Sequence, residues 1–157
     1  MSGDLSYSYA VTRADDGLAE ELGRVRGVAG APVRVVGPEA GPGLAVAVSP
    51  VPERDFDERA LKARLEDLEW LEAVARAHHA VVEAIFARAV VLPLRLATIH
   101  RDDERVRAML REREAEFGAL LDRLAGHVEW GVKVYALPAR RPARAPGAAR
   151  GGAPGGP

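Results

Sequence analysis

The chain has 157 residues, of which 48% are hydrophobic and 29% charged, and its formal net charge is −1. This length predicts about one domain. The absence of cysteine excludes a disulfide scaffold, an iron–sulfur cluster and thiol catalysis. Aromatic residues make up only 5%, which argues against a stacking platform for single-stranded nucleic acid. Asn and Gln are also absent, so side chains suited to an active site are scarce.

The two ends of the chain differ in composition. The first residues lack a basic region followed by an apolar core, so no secretory signal is predicted. Residues 80–99 are the most apolar window, but they contain charged residues and a proline, which argues against a membrane span.

Residues 138–157 consist only of Pro, Gly, Ala and Arg, and we expect a disordered tail. The tail carries +4, which leaves −5 on residues 1–137. We therefore expect a soluble, cytoplasmic protein that binds neither membrane nor nucleic acid.

Alternation and turn residues predict the elements of the first part of the chain. Apolar side chains alternate over residues 5–12, which indicates a half-buried strand, and a short helix follows over residues 18–22. Apolar segments at 33–36 and 44–48 are separated by Gly and Pro, which predicts a β-hairpin. Pro50 is expected to end the second of these strands.

A long amphipathic helix is predicted over residues 55–88, with Asp55 as its N-cap and a possible break near residues 66–67. Its apolar positions recur every three or four residues, so one face is expected to pack on a sheet. The positions that we expect to be buried include Leu68, Leu71, Val74 and Val82.

Two further strands and a helix complete the pattern. Residues 90–99 form an apolar run that is interrupted by Pro93 and Arg95 and is predicted to be a strand, and Pro93 suggests either the edge of a sheet or the entry to the strand. A helix is predicted over residues 102–126, ended by Gly126, and an alternating segment at 128–137 predicts a last strand. The order up to residue 101 is that of a ferredoxin-like βαββαβ unit in the α+β class, followed by an extra helix and strand.

The histidines do not have the spacing of a metal site. His78 and His79 are adjacent, so on a helix they point about 100° apart, and no HExxH or HxxxH pattern occurs. His78 falls on the apolar face and is expected to pack there, whereas His100 is expected to take part in loop or helix-cap contacts. We therefore predict no metal-ligating residue.

Phosphate-binding and nucleophile motifs are also missing. The Gly41-Pro42-Gly43 turn lies between two strands, and its proline removes a backbone donor that a phosphate loop would use. Ser49 follows a strand without flanking glycines, unlike a nucleophile elbow. The many helical carboxylates are expected to form a solvated face with nearby arginines. We predict no catalytic and no cofactor-binding residue, and no cofactor.

Three segments, taken in order, resemble the gas vesicle protein F/L family. They are residues 67–72 (Asp-Leu-Glu-Trp-Leu-Glu), residues 91–99 (Val-Leu-Pro-Leu-Arg-Leu-Ala-Thr-Ile) and residues 129–135 (Glu-Trp-Gly-Val-Lys-Val-Tyr). The resemblance extends over roughly residues 5–137. It implies an accessory role in building gas vesicles, through protein contacts with the shell protein, gas vesicle protein A, and with other accessory proteins. It implies no catalytic residue and a location at the gas vesicle.

Family members usually continue after the last of these segments into a second α+β domain. We therefore expect three regions: an N-terminal family-like domain (1–101), a helix and strand that begin a truncated second domain (102–137), and the tail (138–157). The strand over 128–137 would then present an open edge, and self-association through it is one expected consequence.

Two other classes of function stay open from the residues alone. An enzyme or a small-ligand-binding α+β domain would need a pocket with polar groups that converge around His78, Arg95 or His100. A nucleic-acid binder would have to work through the arginines of the tail, and the acidic body makes this the weaker alternative.

Overall fold

The computed structural model describes residues 3–13, 17–37 and 43–129, the side chains of 127–129 excepted. It confirms the α+β class. The elements are β1 (Asp4–Arg13), α1 (Leu18–Leu22), β2 (Arg34–Val36), β3 (Leu44–Pro52), α2 (Glu53–Phe56), α3 (Glu58–Arg64), α4 (Leu68–Phe86), β4 (Val91–His100), α5 (Asp103–Glu112) and α6 (Glu114–Glu129). The four strands form one antiparallel sheet in the order β2-β3-β1-β4. No helix in these ranges is both long and apolar enough to cross a bilayer.

One face of the sheet is covered by α1 and α4. Tyr7 and Tyr9 of β1 are fully buried there, together with aliphatic side chains from both helices. The two helices contribute to this first core the buried residues Leu18, Leu22, Val74, Val81, Val82 and Ile85. Each of these residues lies on the inward side of its helix, so the hydrophobic effect fixes how the helices lie on the sheet.

The opposite face is covered by α5 and α6, and its core is mainly aliphatic. The sheet contributes the buried residues Val11, Val36, Leu44, Val46, Val48 and Leu92. The helices contribute Val106, Leu110, Phe117 and Leu121. The helices that follow residue 101 thus bury their apolar stripes against the same sheet that the first hundred residues build.

The predicted helix over residues 55–88 is divided into α2, α3 and α4, and the predicted break near 66–67 is confirmed. The N-cap at Asp55 was wrong: Asp57 caps α3 by accepting a hydrogen bond from the Ala60 amide, 2.8 Å away. Val74 and Val82 are buried as predicted, and Leu71 is half-buried. Leu68 is 77% exposed, because it is the first residue of α4 and projects at the corner after α3 rather than onto the sheet.

Three predicted boundaries were also wrong. β3 continues through Pro50 to Pro52, which is possible because β2 flanks β3 only as far as Val48 and leaves the ladder open beyond it. The predicted helix 102–126 is interrupted at Arg113. The helix that follows this interruption, α6, continues past Gly126 to Glu129. The first two residues of the strand predicted over 128–137 are therefore helical. The rest of that strand and the predicted tail lie outside the described residues.

Candidate functional site

The most irregular feature of the described sheet is a bulge in β4, which lies at the sheet edge that Pro93 suggested. Ser8 pairs with Thr98 and Ala10 pairs with Pro93, so the four residues 94–97 lie opposite Tyr9 alone. Ala97 has a φ of 65°, a left-handed conformation that costs an L-residue roughly 1–2 kcal/mol. The Thr98 hydroxyl donates to the Arg95 carbonyl at 2.7 Å and closes the bulge.

A buried Tyr–His pair holds the backbone of this bulge from beneath. The Tyr7 hydroxyl accepts a hydrogen bond from the Ala97 amide at 3.0 Å and lies 2.9 Å from His78 Nδ1. The other ring nitrogen of His78, Nε2, is 3.2 Å from the Leu94 carbonyl. A carbonyl only accepts, so Nε2 carries the proton and the Tyr7 hydroxyl donates to Nδ1. Both ends of the bulge are therefore fixed by one continuous chain of hydrogen bonds.

The second tyrosine of β1 supports the neighbouring loop in the same way. The Tyr9 hydroxyl is 2.7 Å from Ser49 Oγ and accepts a hydrogen bond from the Val28 amide at 2.9 Å. Gly27 lies against these two hydroxyls so closely that a Cβ there would clash with both. The rings of Tyr7 and Tyr9 are 4.7 Å apart, centre to centre, so the two hydrogen-bonded groups pack as one unit.

Burial determines the protonation states in this network. Desolvation lowers the pKa of His78 to about 4, against the smaller raising effect of its hydrogen bond to Leu94. Desolvation also raises the pKa of Tyr7 and that of Tyr9 above their usual value. At neutral pH all three groups are uncharged, as expected for polar groups that have left water. His78 has both nitrogens engaged, so its role is to hold backbone rather than to move protons.

A second polar cluster lies on the opposite face, near the start of α5. The Ser6 hydroxyl donates to Asp103 at 2.8 Å, and Arg34 Nη2 donates to the same carboxylate at 2.8 Å. Burial alone raises the pKa of Asp103, but the hydrogen bonds from Arg34 and Ser6 outweigh it, so its pKa is lowered. Ser8 and His100 Nδ1 are 3.4 Å apart, and burial lowers the pKa of His100. This cluster ties β1 and β2 to α5.

The residues that an enzyme or ligand site would need are therefore dispersed. Tyr7, which contacts His78, and Ser8, which contacts His100, are consecutive in β1 and point to opposite faces of the sheet. Arg95 is exposed on the bulge. Within the part of the chain that is described, no three His, Asp or Glu side chains are grouped so as to hold a metal ion.

Sequence reasoning placed His78 on the packed face but did not find its partners. The alternation in β1 predicted the inward direction of Tyr7 and Tyr9, and phenolic hydroxyls in a core need a partner. That need was a signal for a polar group on the facing helix. The bulge itself gives little signal, because Arg95 is the one charged residue among residues 90–99 and a single charge does not indicate four unpaired positions.

These features define a class: an α+β protein built on one antiparallel sheet, whose buried polar groups brace backbone and whose irregular edge faces outward. The chain matches the family described as gas vesicle synthesis protein GvpL/GvpF over residues 5–150, and it belongs to that family. It is 50% identical over 139 residues to gas vesicle protein L of Streptomyces sp. (strain CB03234), which covers 88% of this chain and 50% of the relative. The chain thus spans about half the length of that relative. No solved structure is similar enough to count as a match.

Proposed function

We propose that the protein is an accessory factor in gas vesicle assembly and acts through contacts with the shell protein, gas vesicle protein A, and with other accessory proteins. The observation that carries this proposal is the family match over residues 5–150, together with the 50% identity to gas vesicle protein L. The same observation supports a location in the cytoplasm at the gas vesicle.

We also propose that this role involves no catalysis, cofactor or metal. His78 supports this view, because its nitrogens are committed to Tyr7 and Leu94 and its pKa is about 4. A general base that works near neutral pH needs a pKa near that pH and access to a substrate. The exposed bulge of β4 is better suited to contact with another protein, since bulges at sheet edges re-aim side chains.

We further propose a ferredoxin-like arrangement for residues 1–101, with residues 102–137 leading from it into a second unit that gas vesicle protein L continues, although α5 and α6 themselves pack on the first sheet. The position of β3 between β1 and β2 supports the first part of this proposal. The half-length coverage of gas vesicle protein L supports the second part.

The experiment is co-purification in cells that carry vesicle genes but lack their own member of this family. Tagged full-length chain is expected to retain the shell protein, and pressure-sensitive light scattering is expected to report vesicles. The matched control is a chain carrying Phe117→Asp, which places a charge in the second core and should abolish folding. Expression of a folded chain that retains no vesicle protein and restores no scattering would contradict the proposal.

A further inference from the structure

Three large hydrophobic side chains are exposed among the described residues, and they lie at two places. Leu65 is 46% exposed and Leu68 is 77% exposed, and both lie at the corner between α3 and α4. Leu96 is 36% exposed and lies on the bulge of β4. Single exposed leucines are ordinary, so the surroundings of the two places decide whether these residues have a use.

The first place, the acidic corner (residues 65–72), surrounds its leucines with carboxylates. Glu66, Glu69 and Glu72 are all exposed there. Two arginines lie near this corner. Arg64 pairs with Asp55 at 3.3 Å and lies over the ring of Trp70, whereas Arg76 pairs with Glu72 at 3.8 Å, so Glu66 and Glu69 are the carboxylates that the corner presents. The corner is also geometrically fixed, because Asp67 caps α4 by accepting hydrogen bonds from the Glu69 and Trp70 amides.

The second place, the basic edge (Arg95 and Leu96 on β4), has the opposite charge. Arg95 is the charged residue of the bulge and β4 contains no acidic residue, whereas residues 1–137 as a whole carry −5. Arg95 and Leu96 are adjacent and exposed. The hydrogen bonds of Tyr7 and His78 to the backbone at Ala97 and Leu94 hold the bulge that displays them.

The two places are too far apart to satisfy each other within one molecule. His78 of α4 contacts the bulge at Leu94, and Leu68 lies ten residues earlier on the same helix. At 1.5 Å per residue, this places Leu68 about 15 Å from the bulge along the helix axis, whereas Glu72 is nearer, at about 9 Å, but pairs with Arg76. Each place therefore offers an apolar side chain and a fixed charge to another molecule.

We propose that the protein binds a second copy of itself, with the acidic corner of one molecule against the basic edge of the other. The two surfaces match in kind: leucine meets leucine, while arginine meets glutamate. A two-fold arrangement would close with two such contacts in a dimer, and a head-to-tail arrangement would extend into a ring or filament. This association does not depend on any vesicle component.

Sedimentation of the full chain over a range of concentrations tests the proposal. The wild type is expected to self-associate, and to do so more weakly at high salt because exposed charges are screened. Arg95→Glu in the basic edge, and separately Glu66→Lys with Glu69→Lys in the acidic corner, are each expected to weaken association by at least about tenfold, since like charges then face each other. Leu96→Ser provides an uncharged variant with the same expected direction.

Mixing the two charge-reversed proteins is the decisive step. Each retains one original surface, so the mixture is expected to recover association that neither protein shows alone. Arg105→Glu and Glu112→Lys on α5, which covers the other face of the sheet, are the matched controls and should leave association unchanged. Circular dichroism confirms that every variant is folded. Three outcomes would each overturn the proposal: a wild type that is monomeric at every concentration, a mixture that fails to associate, or controls that weaken association as much as the surface variants do. If another protein binds these surfaces while the wild type stays monomeric, the proposal is overturned as well.

Discussion

The two faces of the sheet are built on different principles. The face under α5 and α6 is closed by aliphatic side chains and Phe117, with its polar contacts placed near the start of α5. The face under α1 and α4 buries two tyrosines and a histidine in its centre and uses them to hold backbone at Ala97, Leu94 and Val28. Aliphatic packing stabilises the fold through non-directional contacts, whereas the buried hydrogen bonds are directional and specify the backbone conformation at the sheet edge.

The largest expected effect is a loss of stability on replacing a buried phenylalanine, and comparing one phenylalanine from each face tests whether only the α4 face also holds the bulge of β4. Phe117 and Phe56 are 2% and 4% exposed on opposite faces. Replacement of either by alanine should cost about 3–5 kcal/mol in the free energy of unfolding, through lost burial and a cavity. Only Phe56 packs edge-on against Tyr7, so only Phe56→Ala should speed hydrogen exchange at the Ala97 amide. Denaturant titration and exchange NMR measure the two quantities, and equal exchange in both variants would remove the distinction between the faces.

The second effect is a pH dependence that belongs to the α4 face. The pKa of His78 is about 4 in the folded protein and 6.5 in the unfolded reference, so the unfolded chain binds the proton first. The free energy of unfolding should therefore fall as pH drops from about 6.5 to about 4, by on the order of 2–3 kcal/mol. His100 contributes in the same direction. Urea titrations should show most of this slope lost in His78→Gln and retained in a protein changed only at His100.

A third effect isolates one hydroxyl. Tyr7→Phe keeps the ring but leaves the Ala97 amide and His78 Nδ1 without their shared partner, which should cost about 1–3 kcal/mol. Tyr9→Phe is the matched control, because it unpairs the Val28 amide and Ser49 instead. Chemical shifts should change at residues 94–97 in the first variant and at residues 27–28 in the second. The same pattern of shifts in both variants would show that the two networks are not separate.

The smallest effect should be a gain in stability. Ala97 has a φ of 65°, and glycine adopts this region without the steric cost that Cβ imposes. Ala97→Gly should therefore raise the free energy of unfolding by about 0.5–1 kcal/mol, after the greater freedom of glycine in the unfolded chain is taken into account. Thermal melts of the two proteins provide the measurement. A lower melting temperature for the glycine variant would mean that the alanine methyl group contributes packing that outweighs its strain.

The parts of the fold that periodicity governs were predictable from the sequence. The alternation of Leu5, Tyr7 and Tyr9 identified β1, but the strand is buried on both faces rather than half-buried, and a register shift between Ser8 and Ala10 turns Val11 to the opposite face. Pro93 indicated an edge strand or a strand entry, and β4 is at the edge. The errors arose where tertiary context overrides a local signal. Pro50 stays within β3 because no strand pairs with β3 on its β2 side at that position. Gly126 is tolerated inside α6. Leu68 is exposed because it lies at the corner between α3 and α4, although its position in the apolar pattern predicted burial.

The candidate site was less predictable for a physical reason. Its contacts join residues far apart in sequence, such as Tyr7 with His78 and Tyr7 with Ala97, and neither pair has a spacing that a single sequence can reveal. The family resemblance rested on residues 67–72, 91–99 and 129–135, and the first two of these segments contain the acidic corner and the bulge. The resemblance indicated nothing of their geometry.

The close fit of Gly27 against Tyr9 and Ser49 has an evolutionary consequence. A side chain at position 27 would meet both hydroxyls, so substitution there is accessible only after both have been removed or displaced. Loss of the Ser49 hydroxymethyl group together with the Tyr9 hydroxyl would open the space but would release the Val28 amide from its partner. The three positions should therefore drift together among descendants of this sequence, and a lineage that gains a larger residue at 27 should already carry both a smaller residue at 49 and a phenylalanine at 9.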